Sequence, residues 1–250
     1  MLLETRIDEA SRSMQNGIAC HAPAAFASSF GAEDMVLLDL IERLDLDVDV
    51  FTLDTGRLHE ETLDLIARCR QHYRRPIRIM VPDAAELESF VGRFGVNAFY
   101  RDIGLRRQCC EIRKMRPLRR ALAGKGIWIT GLRRDQSVTR AAVAVLEADE
   151  ANGLMKLNPL ADWHNDDVWS YLKRFDVPVN ALHERGFPSI GCAPCTRAVR
   201  PGEDPRAGRW WWEQAETREC GLHTASDGRL VRGPAHATRI QHREEHHDRA

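Results

Sequence analysis

Ala24-Ala25-Phe26-Ala27-Ser28-Ser29-Phe30-Gly31-Ala32-Glu33-Asp34 is the stretch from which the fold is read. Its first four residues are apolar and too few for a helix, which suits a short buried strand. Ser28 to Asp34 is a turn of small and polar residues. Met35 to Leu44 then carries apolar side chains at helical spacing (Leu37, Leu40, Ile41, Leu44). A strand, a small-residue turn and a helix in that order bring free backbone N–H groups and the positive end of a helix dipole to one point, which favours an anion. An ordinary strand-to-helix turn has a similar composition, so this loop alone leaves both readings open.

Downstream, the same alternation repeats. Asp47 to Leu53 reads as a second strand, Asp54-Thr55-Gly56-Arg57 as a turn, and Leu58 to Tyr73 as a helix. Ile77 to Val81 is a third strand, followed by a helix from about Ala84 to Val91, and Ile127 to Thr130 is a fourth strand. Strands alternating with helices predict an α/β fold with a mostly parallel sheet covered on both faces. In such sheets a ligand sits beyond the carboxyl ends of the strands, where the 28–34 and 54–57 turns both fall. Val143 to Leu157, with Asn152-Gly153 at its middle, reads as a hairpin. Asn165 is expected to cap a short helix containing Val168, Trp169 and Leu172. Residues 1–20 are expected to form a polar, peripheral helix. Residues 1–205 are expected to form the main domain, and 206–250 a mobile C-terminal arm ending in a polar, His-rich tail.

The chain has 250 residues, 43% of them hydrophobic, which is ample for a core, and a net charge of −1. That balance argues against a general nucleic-acid or membrane binder. The first residues mix charges where a signal peptide needs an apolar core, and no apolar run is long enough to span a bilayer. The seven cysteines are odd in number, in a chain too large to need disulfide staples. Metal binding and catalysis in a reducing cytoplasm are the expected uses.

Four of those cysteines form two pairs. Cys192-Ala193-Pro194-Cys195 has the spacing shared by zinc sites, redox pairs and iron–sulfur sites. Cys109 and Cys110 are adjacent, within a segment (101–120) holding seven arginines and one lysine. Neighbouring positive charge favours the thiolate form that metals require. Adjacent cysteines point in different directions and suit a cluster with several irons better than one tetrahedral ion. The set of Cys109, Cys110, Cys192 and Cys195 therefore favours a [4Fe–4S] cluster over zinc. Cys220 stands alone between Arg218 and His223 in a polar segment, a setting for a reactive thiolate able to form a covalent adduct with substrate. Release of such an adduct requires a second thiol from another molecule. Cys20 and Cys69 lack ligand spacing and are expected to be buried small residues. The loop Gly131 to Arg140 places arginines at a strand's carboxyl end, suited to phosphate or sulfate oxygens.

Taken together, Ser28-Ser29-Phe30-Gly31-Ala32-Glu33-Asp34, Leu53-Asp54-Thr55-Gly56-Arg57, Cys109-Cys110-Glu111-Ile112-Arg113-Lys114, the arginine loop 131–140, Gly191-Cys192 with Cys195, and Glu219-Cys220-Gly221-Leu222-His223 resemble the assimilatory adenylyl-sulfate reductases, with every landmark in order over about residues 20–223. The resemblance implies a Rossmann-like fold of the adenine-nucleotide α-hydrolase type. It implies reduction of adenosine 5′-phosphosulfate to sulfite and AMP, with reduced thioredoxin as partner and an S-sulfocysteine formed on Cys220. It also implies that Cys109, Cys110, Cys192 and Cys195 ligate the cluster and that Lys114 lies between cluster and substrate. Arg140, Arg206, Arg209 and His223 would surround the phosphosulfate, and the turns at Ser28–Asp34 and Leu53–Arg57 would contact the nucleotide. A preference for the 3′-phosphorylated substrate is the nearest alternative. A same-fold ATP-using thiolation enzyme and a zinc-bearing nucleic-acid module are more distant ones. A homo-oligomer is left open.

Overall fold

Ala24–Ala27 and Ile127–Ile129 are short and uniformly apolar, and strands of that kind need both faces covered. In the computed structural model, which describes residues 2–136 and 140–214, they are the two central strands of one sheet. The strands are β1 (Ala24–Ala27), β2 (Val48–Leu53), β3 (Arg78–Met80), β4 (Ile127–Ile129), β5 (Leu146–Asp149) and β6 (Leu154–Leu157). They are ordered β3-β2-β1-β4-β6-β5. Phe26 stands beside Val50 on one side and Ile129 on the other, and all pairings are parallel except β5 with β6. The antiparallel pair is the hairpin expected around Asn152-Gly153, where Gly153 takes a φ of 68°.

The helices are α1 (Leu2–His21), α2 (Ala32–Arg43), α3 (Glu60–His72), α4 (Ala84–Phe94), α5 (Ile103–Cys110), α6 (Arg116–Leu122) and α7 (Asn165–Arg174). The main core packs α2, α3 and α7 against one face of the sheet, around Phe26, Leu37, Leu65 and Tyr171. Phe51, Leu118 and Trp128 form a second cluster with α6. From β1 the chain winds to β2 and β3, then returns to β4 on the opposite side of β1. The loops leaving β1 and β4 diverge at this reversal, which opens a crevice.

Three expectations are corrected. The first helix is not peripheral: Ala10, Met14 and Gly17 are buried, and a Cβ at Gly17 would lie 3.0 Å from Leu157 and 3.2 Å from Ile127, so its missing side chain lets α1 settle on β4 and β6. His164, not Asn165, caps α7, because Asp167 Oδ2 reaches back to accept the His164 N–H at 2.8 Å and fixes the cap one residue earlier. Cys20 is exposed, on the outer face at the end of α1, whereas Cys69 is buried as expected. The basic segment 101–120 is also more than a solvated face. It runs as α5, a π-helical turn (Glu111–Met115) and α6, with Arg106 and Arg113 buried.

Candidate active site

A cleft of about 860 Å³ occupies the crevice beyond the carboxyl ends of β1, β2 and β4. Its floor is the turn after β1. Ser29 donates from both its N–H (2.6 Å) and its Oγ (2.7 Å) to Asp34 Oδ2, and the Phe30 N–H donates to Ser28 Oγ at 3.2 Å. Phe30 adopts a φ of 59° and places its ring in the main core, so within this turn the cleft is lined by Ser28, Ser29 and Gly31 to Asp34. Burial pushes the Asp34 carboxyl up to about 6, against the two Ser29 hydrogen bonds that hold it down. Gly131, after β4, passes so near that a Cβ there would sit 2.4 Å from Asp34 Oδ1. That contact requires glycine.

Leu53 and Thr55 line the cleft from β2, whereas Arg57 turns away to the cysteine side. Arg57 donates to Asn97 Oδ1 (3.1 Å) and to the Val96 carbonyl (2.6 Å). Gly56 is exposed with a φ of 66° and backs onto Arg113. The arginine loop divides its charges. Buried Arg133 donates through Nε (3.0 Å) and Nη2 (2.8 Å) to Glu33 Oε1 and through Nη1 to the Trp163 carbonyl (3.2 Å). Arg134 pairs with Asp162, and Arg140 stays on the cleft wall, bonded to Gln136. The Arg133–Glu33 pair thus ties the two loops together and neutralises the carboxylate facing the cleft.

The four paired cysteines come together. Cys109 and Cys110 at the end of α5, with Cys192 just before a short 3₁₀ turn (Ala193–Cys195) and Cys195 at its end, line one pocket with Phe99 and Trp210. Arg57, Arg106, Arg113, Lys114 and Arg209 share its lining. Thr55 Oγ1 lies 3.3 Å from Cys192 Sγ. Burial pushes the Cys195 thiol up to about 12, reinforced by the neighbouring thiols and opposed by Lys114. Burial also raises the Cys109 thiol, against the pull of Arg113. A thiol raised as far as that of Cys195 stays protonated unless a metal takes the proton's place. Among the described residues no three His, Cys, Asp or Glu side chains are arranged to hold a single metal ion. Four sulfurs set around a space, with aromatic walls and cations behind them, suit a multi-iron cluster, in which each sulfur takes a different iron.

Cleft and cysteine pocket share a wall. Lys114, Arg209 and Trp210 line both. Arg209 is 7% exposed and donates to Ser189 Oγ (3.3 Å) and the Ile190 carbonyl (3.2 Å). Gly191 permits this placement, because a Cβ there would lie 2.3 Å from Arg209 Nη2. Arg206 lines the cleft as well. Cys220 and His223 lie outside the described residues. Sequence reasoning missed the far wall, where Trp169 meets His183 edge-on with ring centroids 5.2 Å apart, and burial holds the His183 imidazole below its ordinary range. The connecting segment 177–188 carried no motif that would have flagged it. It also missed the ion pair between Arg106 and Glu213; the Arg-rich run around Cys109 was the signal that one arginine there had a buried partner.

The profile of the phosphoadenosine phosphosulfate reductase domain matches residues 23–198. The chain belongs to this family. An adenosine 5′-phosphosulfate reductase of Burkholderia cepacia is 57% identical over 203 residues, spanning 81% of this chain and 81% of that protein. A protein of the same name from Allochromatium vinosum is 54% identical, over 79% of this chain and 77% of its own. Among solved structures, the phosphoadenylyl-sulfate reductase of Candida auris, in a phosphate complex, superposes with a TM-score of 0.66 at 26% identity, covering 76% of this chain and 90% of that one. The FMN adenylyltransferase of Candida glabrata with ATP shares the fold at a TM-score of 0.55 and 15% identity, over 90% and 78% of the two chains. Among the described residues no helix is long and apolar enough to cross a membrane.

Proposed function

We propose that this chain reduces adenosine 5′-phosphosulfate to sulfite and AMP, with thioredoxin as reductant and Cys220 as nucleophile. The observation that carries the reading is the shared wall of Lys114, Arg209 and Trp210, which sets a nucleotide-sized cleft against a quartet of cysteines. The relatives above 50% identity bear the name adenosine 5′-phosphosulfate reductase, which favours the substrate without a 3′-phosphate.

The nucleotide lies in the crevice between β1 and β4, with Ser28 to Asp34 and Leu53 to Thr55 around it. Lys114, Arg140, Arg206 and Arg209, with His223, face the phosphosulfate. The Cys220 thiolate attacks the sulfonyl sulfur. A sulfur–sulfur bond forms and the sulfur–oxygen bond breaks, its electron pair leaving with AMP. A thioredoxin thiolate then attacks Cys220 Sγ and expels sulfite, and its second thiol resolves the mixed disulfide. The substrate sulfur gains two electrons and the dithiol loses them. Attack by an anion on an anion needs fixed cations in a site that excludes water, where one preorganised donor is worth about 10²–10³ in rate. Cys109, Cys110, Cys192 and Cys195 would hold a [4Fe–4S] cluster, which would supply fixed charge beside Lys114 and tie α5 to the 192–195 turn.

Incubation of the protein with ³⁵S-labelled adenosine 5′-phosphosulfate, without reductant, tests the reading. Label is expected on Cys220, released as sulfite by reduced thioredoxin. Sulfite production by Cys220→Ser at the wild-type rate would overturn it, and equal labelling by the 3′-phosphorylated substrate would overturn the substrate choice.

A further inference from the structure

Ser189 is half-buried and lines the nucleotide cleft, on the segment that leads to Cys192. Its Oγ lies 3.3 Å from Arg209 Nη1. A guanidinium only donates, so the hydroxyl is the acceptor in that bond and keeps its own proton. Among the described residues nothing accepts that proton. A hydroxyl that accepts from a cation is polarised by it and becomes a better donor.

The place of Ser189 is set without its side chain. On one side of it the Val199 N–H donates to Gly186 O at 2.9 Å, and on the other the Gly191 N–H donates to Thr196 Oγ1 at 3.1 Å. Thr196 Oγ1 donates in turn to Cys192 O at 3.0 Å, and the Ala193 N–H donates to Arg57 O at 2.8 Å. The backbone beneath Ser189 is therefore anchored at both ends. Arg209 also has a second hold, from Nη1 to the Ile190 carbonyl at 3.2 Å, and its backbone bridges to Thr196. Neither anchor is spent if the hydroxyl is removed. What the hydroxyl lacks is an acceptor, and Lys114, Arg140, Arg206 and Arg209 line the same cleft. An anion drawn to those cations brings charged oxygens, the strongest acceptors available to a hydroxyl.

We propose that Ser189 is a further substrate-binding residue, whose hydroxyl, braced by Arg209, donates to an oxygen of the phosphosulfate group. The inference rests on the functional reading above and adds to it a neutral donor among the cations. Ser189 recognises the charged end of the substrate, so adenosine alone gains nothing from it.

The test is Ser189→Ala in the iron-loaded protein. The single-turnover rate of label transfer at low adenosine 5′-phosphosulfate concentration is expected to fall about tenfold, the loss typical of one hydrogen bond to a charged acceptor. Adenosine affinity is expected to stay at the wild-type value. A parallel loss of AMP affinity would assign the contact to the phosphate, and unchanged AMP affinity would assign it to the sulfonate. An unchanged transfer rate, or an equal loss of adenosine affinity, overturns the inference. A double-mutant cycle separates direct contact from mere support of Arg209. In an Arg209→Met background Ser189→Ala should still slow transfer at least threefold, and no further loss there overturns the inference. Should that background not fold, Arg209→Lys carries the same criterion. Absence of label on Cys220 in the wild type overturns the parent reading itself, a result distinct from equal rates in wild type and Ser189→Ala.

Discussion

The turn after β1 is closed by bonds spanning two to five residues, from Phe30 to Ser28 and from Ser29 to Asp34. The cysteine pocket is gathered from four segments far apart in the chain, around residues 57, 110, 194 and 210. The first region inherits its shape from the sheet, because the strands on either side dictate where the turn must go. The second has no strand beneath it and depends on cross-links such as the Arg106–Glu213 pair and the Trp210-to-Cys195 bond. Local closure is cheap in chain entropy, and remote closure must be offset by strong individual contacts. The two regions should therefore fail differently when perturbed.

The largest expected effect is at the wall they share. Lys114→Ala should lower the single-turnover rate by about 10²–10³-fold, the loss typical of one preorganised cation, while iron content and AMP affinity stay. Rapid-quench kinetics beside an iron assay checks this, and an unchanged rate would mean that the cysteine region does not act electrostatically on the cleft. Next come two glycines, one against the turn after β1 and one against Arg209 on the shared wall. Gly131→Ala drives a methyl into Asp34 and should weaken AMP binding by about tenfold, roughly 1.4 kcal/mol, without altering the visible spectrum. Gly191→Ala pushes Arg209 from its place and should slow transfer by about tenfold while AMP binding holds. Calorimetric titration and quench experiments on both variants give a two-by-two comparison. If either glycine moved both readouts equally, the separation of the regions would collapse.

The smallest effect concerns Asp34. Its folded pKa of about 6 lies above the unfolded value of 3.8. A raised carboxyl contributes stability that is present below pH 3.8 and is lost as pH rises through about 6. Relative to Asp34→Asn, the wild type should thus lose on the order of 1–2 kcal/mol between pH 4 and pH 7, measured by urea unfolding at several pH values. A flat difference would show that the carboxyl is charged throughout and that the turn is more solvated than its hydrogen bonds imply.

The same contrast explains what was legible from sequence. The alternation of strands and helices, the hairpin at Asn152-Gly153 and the turn after β1 are local patterns, and the structure carries them. The four cysteines were legible as two pairs because thiols are rare and their spacing is chemically specific. The division of labour among arginines was not legible. Nothing in the residues 131–140 distinguishes Arg133, engaged with Glu33, from Arg140 on the cleft wall. Its answer depends on which acid lies across the sheet, a contact a hundred residues away in sequence. The packing of α1 was missed for a related reason: a helix polar on average still docks if one narrow stripe of Ala10, Met14 and Gly17 meets the sheet.

The π-helical turn at Glu111–Met115 carries a consequence for how such a site is inherited. A wide turn of this kind holds one surplus residue relative to a regular helix. Each residue advances a helix by about 100°, so excising one from this turn would swing everything after it by about a quarter revolution relative to Cys109 and Cys110. The spacing from Cys109 and Cys110 to Lys114 is therefore a mechanical gear ratio. A chain with the right residues and a one-position deletion would keep its chemistry set yet mesh it wrongly.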